Sequence, residues 1–323
     1  MTNKAAIYSG GLGKLGSLKW IHKNMVLCNL PNEALKSNRI PLASVSRYSW
    51  FPLFVFLFFD NFQSISQIKI YVNTDLEGIS GVYKFAQTRE KNTPLNIQAC
   101  EYFMDDLAAV IRGLRDGGAT EILVLDGHGN QAVVPHMMVP GVKYITGKPR
   151  PRHNGTMYGL DSTFSGMVFV GFHAMNGTSD GVLNHTQSSV AEKRYWYNGI
   201  ESGELVQDGA VAGYFGVPPI MVSGDVATCR EAKRFFGENC VTVAVKEGIA
   251  RESAILYPFE ETRQALYEGA KRAVEGIDKC KPFLLDLPIK GKIEYLEFDS
   301  ALPEPKLITK EAIFNDALHM LDF

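Results

Sequence analysis

From Ile68 onward the chain repeats one design: a short β-forming run, a polar or glycine-containing turn that carries an acid or a histidine, and then a helical stretch. Residues 68–72, Ile-Lys-Ile-Tyr-Val, lead into Asn73-Thr74-Asp75-Leu76-Glu77-Gly78. Residues 96–116 place Ile97, Cys100, Phe103, Met104, Leu107, Val110, Ile111 and Leu114 at helical spacing, and Gly117-Gly118 stops the helix. A second strand at 121–125 then delivers Asp126-Gly127-His128-Gly129-Asn130, so this part reads as a βαβ unit. The run 166–172 is continuously apolar, as a strand buried on both faces must be, and it ends at His173. Residues 201–215 read as a helix with Glu204 in its first turn, followed by a strand at 219–225, a helix after Thr228, a strand at 241–245 and a long helix near 258–276. A late β-region at 283–298 and a short terminal helix at 310–321 close the chain. The pattern predicts an α/β fold, a largely parallel sheet flanked by helices, with a smaller C-terminal α/β portion.

In open α/β sheets ligands collect where the loops converge at the carboxyl ends of the strands. Three separate strand ends here carry Asp75 with Glu77, His128, and His173. Asp75 and Glu77 are two positions apart, so on an extended strand both point to one side, and two adjacent acids repel unless a cation lies between them. One carboxylate has two oxygens, which lets Asp75 bridge two metals. Glycines flank His128 and permit close backbone approach, with Asp126 placed to accept the second ring N–H. His185 follows the loop 176–181, rich in glycine and polar residues, and is carried back toward the same edge, the position of a group that meets substrate.

Each residue alone has a plainer reading. An acid pair can be a solvated loop end or a helix cap, Glu204 can answer only to the helix dipole, and His128 or His185 can be turn histidines. Together, three carboxylates and two imidazoles from separate elements form a ligand set suited to zinc, with manganese or cobalt as substitutes, and hydrolysis is the chemistry such a pair of metals performs. His22, His136 and His319 read as structural or surface residues, and His153, near where a substrate entrance would lie, is not counted among the site residues.

Other classes find little support. The 33 Lys and Arg against 35 Asp and Glu leave no basic run, which argues against a nucleic-acid partner. Five scattered cysteines form neither a disulfide framework nor a thiolate zinc site. No G-x-S-x-G elbow and no phosphate-binding glycine motif after a strand is present. The first 67 residues differ in texture: a long polar stretch, then the apolar run 50–59 with Ser64-Ile65-Ser66 behind it. That run is too short for a stable membrane span and has the length of a signal-peptide apolar region, though it begins nearly fifty residues in. Cleavage near Ser66 would make the protein periplasmic or secreted; without it the chain is cytoplasmic. The sequence thus divides into an atypical extension, 1–67, and a metallohydrolase domain, 68–323.

At the motifs 75–81 (Asp-Leu-Glu-Gly-Ile-Ser-Gly), 126–128 (Asp-Gly-His), 171–174 (Gly-Phe-His-Ala), 184–186 (Asn-His-Thr) and 203–205 (Gly-Glu-Leu), leading to Ala212-Gly213-Tyr214-Phe215-Gly216-Val217-Pro218, the chain resembles the DppA-type D-aminopeptidase family of dinuclear zinc peptidases. The order and spacing agree across roughly residues 68–288. The resemblance implies that Asp75, Glu77, His128, His173 and Glu204 hold two zinc ions per subunit, that Asp75 bridges them, and that His185 is catalytic as acid/base, oxyanion stabiliser or nucleophile. It further implies a ring-shaped homo-oligomer, a decamer, acting on short peptides with a free amino end. Two features depart from the family: the extension 1–67, and residues 152–156 between Pro151 and Met157. Other dinuclear metal amidohydrolases or phosphoesterases, and a non-catalytic peptide-binding protein of a transport system, are the alternative functions.

Overall fold

A computed structural model describes residues 67–151, 156–299 and 304–323. The apolar run 50–59, the rest of the extension, His22 and His153 lie outside the described residues.

The elements come in the expected alternation. Strand β1 (Lys69–Thr74) is followed by a short helix α1 (Phe85–Arg89) and a long one, α2 (Pro94–Asp116), then by β2 (Glu121–Asp126), β3 (Lys143–Ile145) and β4 (Gly166–Val170). The chain continues through β5 (Arg194–Tyr197), β6 (Ile200–Ser202), α3 (Glu204–Tyr214), β7 (Pro219–Asp225), α4 (Val226–Phe236), β8 (Val241–Ala250), β9 (Ser253–Leu256) and α5 (Phe259–Glu275). Two long strands end it, β10 (Ile289–Glu297) and β11 (Lys306–Phe314).

Seven strands form one sheet in the order β3-β2-β1-β4-β7-β8-β9, parallel except for the edge strand β9. The order runs outward in both directions from β1 and β4, so the chain switches direction between these two central strands. Strands β4 and β7 are buried along their whole length, which explains their continuous apolar sequence. Alternation in β1 sends Ile70 and Val72 into a core with α2 and α5, and Tyr71 into a second core with Phe169, α3 and α4. No helix among the described residues is long and apolar enough to cross a membrane.

The terminal segment departs from expectation. Instead of a helix over 310–321, β11 continues to Phe314, and only a single 3₁₀ turn at Ala317–His319 follows, capped by Asp316. Nine residues of β11 pair antiparallel with β10, from Ile289 opposite Phe314 to Glu297 opposite Lys306. That pairing, with the β-branched Ile308, Thr309 and Ile313 in it, outweighs the local helical spacing. With β5 and β6 these strands make a small antiparallel sheet, order β11-β10-β5-β6, whose apolar face meets Val206 and Ala210 of α3. It therefore braces the helix that begins with Glu204.

Helices α2 and α5 pack closely because α2 presents Gly113. A Cβ there would stand 2.1 Å from the Tyr267 carbonyl oxygen on α5, a backbone atom that cannot give way alone. Gly113→Ala is expected to lower stability by about 2 kcal/mol in urea unfolding, whereas Arg112→Ala, on the exposed side of the same helix, should stay within about 0.5 kcal/mol.

Candidate metal centre

The loops at the carboxyl ends of β2, β1, β4 and β7 are tied by backbone bonds. Asp75 N–H donates to the Val170 carbonyl at 2.8 Å, Gly78 N–H to Gly171 at 2.7 Å, Gly127 N–H to Thr74 at 3.1 Å and Phe172 N–H to Ser223 at 3.0 Å. Glycines make this approach possible. A Cβ on Gly78 would lie 1.8 Å from the Phe172 carbonyl oxygen, and one on Gly171, at φ +75°, would lie 2.3 Å from that of Asp75. The site thus sits at the switch point of the sheet, with its side chains delivered by three adjacent strands.

The structure brings all five sequence-selected ligand candidates together, and it arranges them in two halves. His128 Nδ1 lies 2.9 Å from Asp75 Oδ1 and 3.2 Å from Glu77 Oε2. His173 Nε2 lies 3.3 Å from the other Asp75 oxygen, Oδ2, and 3.5 Å from Glu204 Oε1. Asp75 therefore stands between a Glu77–His128 pair and a Glu204–His173 pair, one oxygen to each. Glu77 sits in the turn after β1, so it is this turn, not strand alternation, that unites it with Asp75. Glu204 opens α3, where the helix dipole favours an acid.

Carbonyl groups fix the histidine tautomers. His128 Nε2 is 3.1 Å from the Thr88 carbonyl and His173 Nδ1 is 3.0 Å from that of Ala174, which assigns the ring hydrogens there and turns His128 Nδ1 and His173 Nε2 toward the carboxylates. Asp126 does not play the expected part. Its buried carboxylate accepts from Ala132 N–H, Val133 N–H and Thr146 Oγ1, so it shapes the loop that carries His128 instead of touching the ring. His185 stacks on His173, with ring centroids 4.0 Å apart and planes 11° from parallel, and its Nδ1 lies 2.8 Å from the Leu183 carbonyl. His136 and His319 are exposed and outside the cluster.

These groups fit metal ions. Glu77 Oε2 and His173 Nε2 are buried without a hydrogen-bond partner that meets ordinary geometry. Donor atoms about 2.0–2.1 Å from a tetrahedral zinc stand roughly 3.3 Å apart, close to the contacts found here. The electrostatics agree. Burial alone would raise Glu77, yet His128, with His185 and His173, outweighs it and holds the carboxyl well below its ordinary range. Burial would likewise depress His128 and His173, but the surrounding acids hold both imidazoles well above theirs. Three clustered carboxylates demand positive charge, and without a metal the protonated imidazoles at their centre supply it.

Residues with no metal-site signature complete the centre. Lys246, fully buried in β8, donates from Nζ to the carbonyl oxygens of Glu77 at 2.6 Å and Ile79 at 2.9 Å, and to that of Val82. It thereby ties down the turn that presents Glu77. Burial pulls its amine down to about 8. Glu231 accepts from Met175 N–H and Thr178 Oγ1, and Asp225 accepts from Val182 N–H at 2.6 Å, which sets the path of the loop from His173 to His185. A lysine in an apolar strand is the only sequence trace of this support. The centre opens into a cavity of about 830 Å³ whose wall also includes Arg89, Lys148, Arg150, Gln187 and Asp208.

A doubly wound sheet with a buried carboxylate–imidazole cluster at its switch point defines an α/β metallohydrolase. A profile of the D-aminopeptidase family, peptidase family M55, matches residues 68–302, and the chain belongs to that family. The D-aminopeptidase of Bacillus subtilis (strain 168) is 32% identical over 238 residues, covering 72% of this chain and 84% of that protein. The solved structure of the Zn-dependent D-aminopeptidase DppA from Bacillus subtilis, described as a self-compartmentalizing protease, is similar with a TM-score of 0.69 at 27% identity, covering 78% of this chain and 94% of that one.

Lys246→Met should cost about 3 kcal/mol, because three buried carbonyls lose their donor, and should weaken zinc retention about tenfold or more. Thermal unfolding and metal content after dialysis against a weak chelator measure the two effects separately.

Proposed function

We propose that the chain is a zinc-dependent aminopeptidase that removes the N-terminal residue, a D-amino acid, from short peptides. The observation that carries this reading is the position of Asp75, with one oxygen toward Glu77–His128 and the other toward Glu204–His173. Glu77, His128 and Asp75 would hold one zinc, and Glu204, His173 and Asp75 the other. Two such ions supply Lewis-acid polarisation of a carbonyl and a lowered pKa for an attacking water.

The chain's own groups do the rest. His185 has Nδ1 engaged with the Leu183 carbonyl, so Nε2 is its uncommitted ring nitrogen, in a group with His173 and Glu204. Its stacking on His173 and the edge contact with Phe85, centroids 6.1 Å apart, hold the ring against rotation. Nε2 of His185 takes a proton during attack on the scissile carbonyl and returns it to the leaving amine. The cavity walls exclude bulk water from one side and accommodate a peptide of a few residues. A ring-shaped homo-oligomer, a decamer, would admit such peptides and exclude folded proteins; what supports it is the self-compartmentalizing description of the similar Bacillus subtilis enzyme.

The expected result is about two zinc ions per chain, hydrolysis of D-Ala-D-Ala in preference to L-Ala-L-Ala, and loss of that hydrolysis on chelation with recovery on zinc addition. His185→Ala should lower kcat roughly 10²- to 10⁴-fold with zinc content unchanged. Hydrolysis insensitive to chelators, or a variant that stays fully active, would refute the reading, and light scattering of the full chain reports the oligomer.

A further inference from the structure

Of the carboxylates that line the cavity, Asp208 alone is left over by the five-residue cluster. It lies on α3 one helical turn beyond Glu204, so the two side chains share a face with their Cβ atoms about 6 Å apart. It is only 8% exposed, and both of its oxygens are braced by neutral donors: Oδ2 by Asn73 Nδ2 at 2.7 Å and Oδ1 by Thr156 Oγ1 at 2.9 Å. No cation among the described residues pairs with it.

A second observation points the same way. Asn73, 3% exposed and also on the cavity wall, spends its amide N–H on Asp208, while its Oδ1 is buried with no partner. A buried carboxylate on the cavity wall, held by two neutral donors and paired with no cation among the described residues, is an acceptor whose charge is uncompensated. The group that satisfies it is a primary ammonium, which carries one positive charge and three N–H donors.

We propose that Asp208, with Asn73 beside it, binds the α-ammonium of the peptide substrate; the assignment rests on the aminopeptidase reading above. Asn73 precedes Asp75 by two residues in the chain, and Asp208 follows Glu204 by one helical turn, so the amine pocket adjoins the centre from both elements. In a peptide the α-nitrogen is two bonds from the first carbonyl carbon. An ammonium held there presents only the first peptide bond to the cluster and His185, which makes cleavage exo-acting and excludes N-blocked peptides.

The test uses the full-length zinc-loaded protein carrying His185→Ala, so that ligands bind without turnover. Calorimetry compares D-Ala-D-Ala with propionyl-D-Ala, its analogue lacking the amine. The parent protein is expected to prefer the amine-bearing ligand roughly ten- to a hundredfold, and Asp208→Asn to abolish that preference while zinc content and Tm stay the same. A preference that survives Asp208→Asn overturns the assignment, as does an equal loss of affinity for both ligands, which marks a purely structural role. If Asp208→Asn does not fold, Asn73→Ala is judged by the same ratio. Should the parent protein bind neither ligand and the wild type hydrolyse no dipeptide, the aminopeptidase reading itself fails and this assignment goes with it.

Discussion

Three carboxylates cannot be buried within a few ångströms of one another unless positive charge lies among them, and the centre of this protein is arranged around that requirement. Asp75 has an imidazole nitrogen 2.9 Å from one oxygen and another 3.3 Å from the second, so the repulsion of Glu77 and Glu204 is answered on both sides. The same charge that would destabilise an empty site makes it select dications. Folding of the strand-end loops and metal binding are therefore linked through one electrostatic balance.

The scaffold supplies what the charges cannot: a fixed place. The parallel sheet puts the ends of β2, β1 and β4 side by side, backbone bonds between their loops set the spacing, and glycines at 78 and 171 let carbonyl groups approach where any side chain would block them. Lys246 reaches from β8 under the turn of Glu77, and the small antiparallel sheet steadies α3 and with it Glu204. Precision at the centre comes from these distant supports, none of which touches substrate.

Much of this was legible in the chain. Ile68-Lys69-Ile70-Tyr71-Val72 announces a short strand by its β-forming residues, and the apolar run ending at His173 announces one buried on both faces, because such burial leaves no room for polar alternation. Acids and histidines at successive strand ends announce a site, since that is where a parallel sheet gathers its loops. The C-terminal segment misleads because Lys310 to Leu321 has local helical spacing, while the nine-residue ladder with β10 that overrides it is a long-range pairing no local pattern contains. Asp126 misleads for a related reason: sequence adjacency to His128 does not say which way a carboxylate turns, and three donors of its own loop claim it.

The sequence by itself determined the alternating fold, the five acids and histidines that the structure brings together and the kind of ion such groups suit, because periodicity and residue chemistry are local properties. Only the tertiary structure decided that Asp75 faces both halves of the centre, that Thr88 and Ala174 carbonyls orient the imidazoles, that Lys246 holds the turn of Glu77, and that Asp208 stands braced beside Asn73. Each of these joins residues that depend on how separate elements pack, and distances of a few ångströms between them are set by the whole fold.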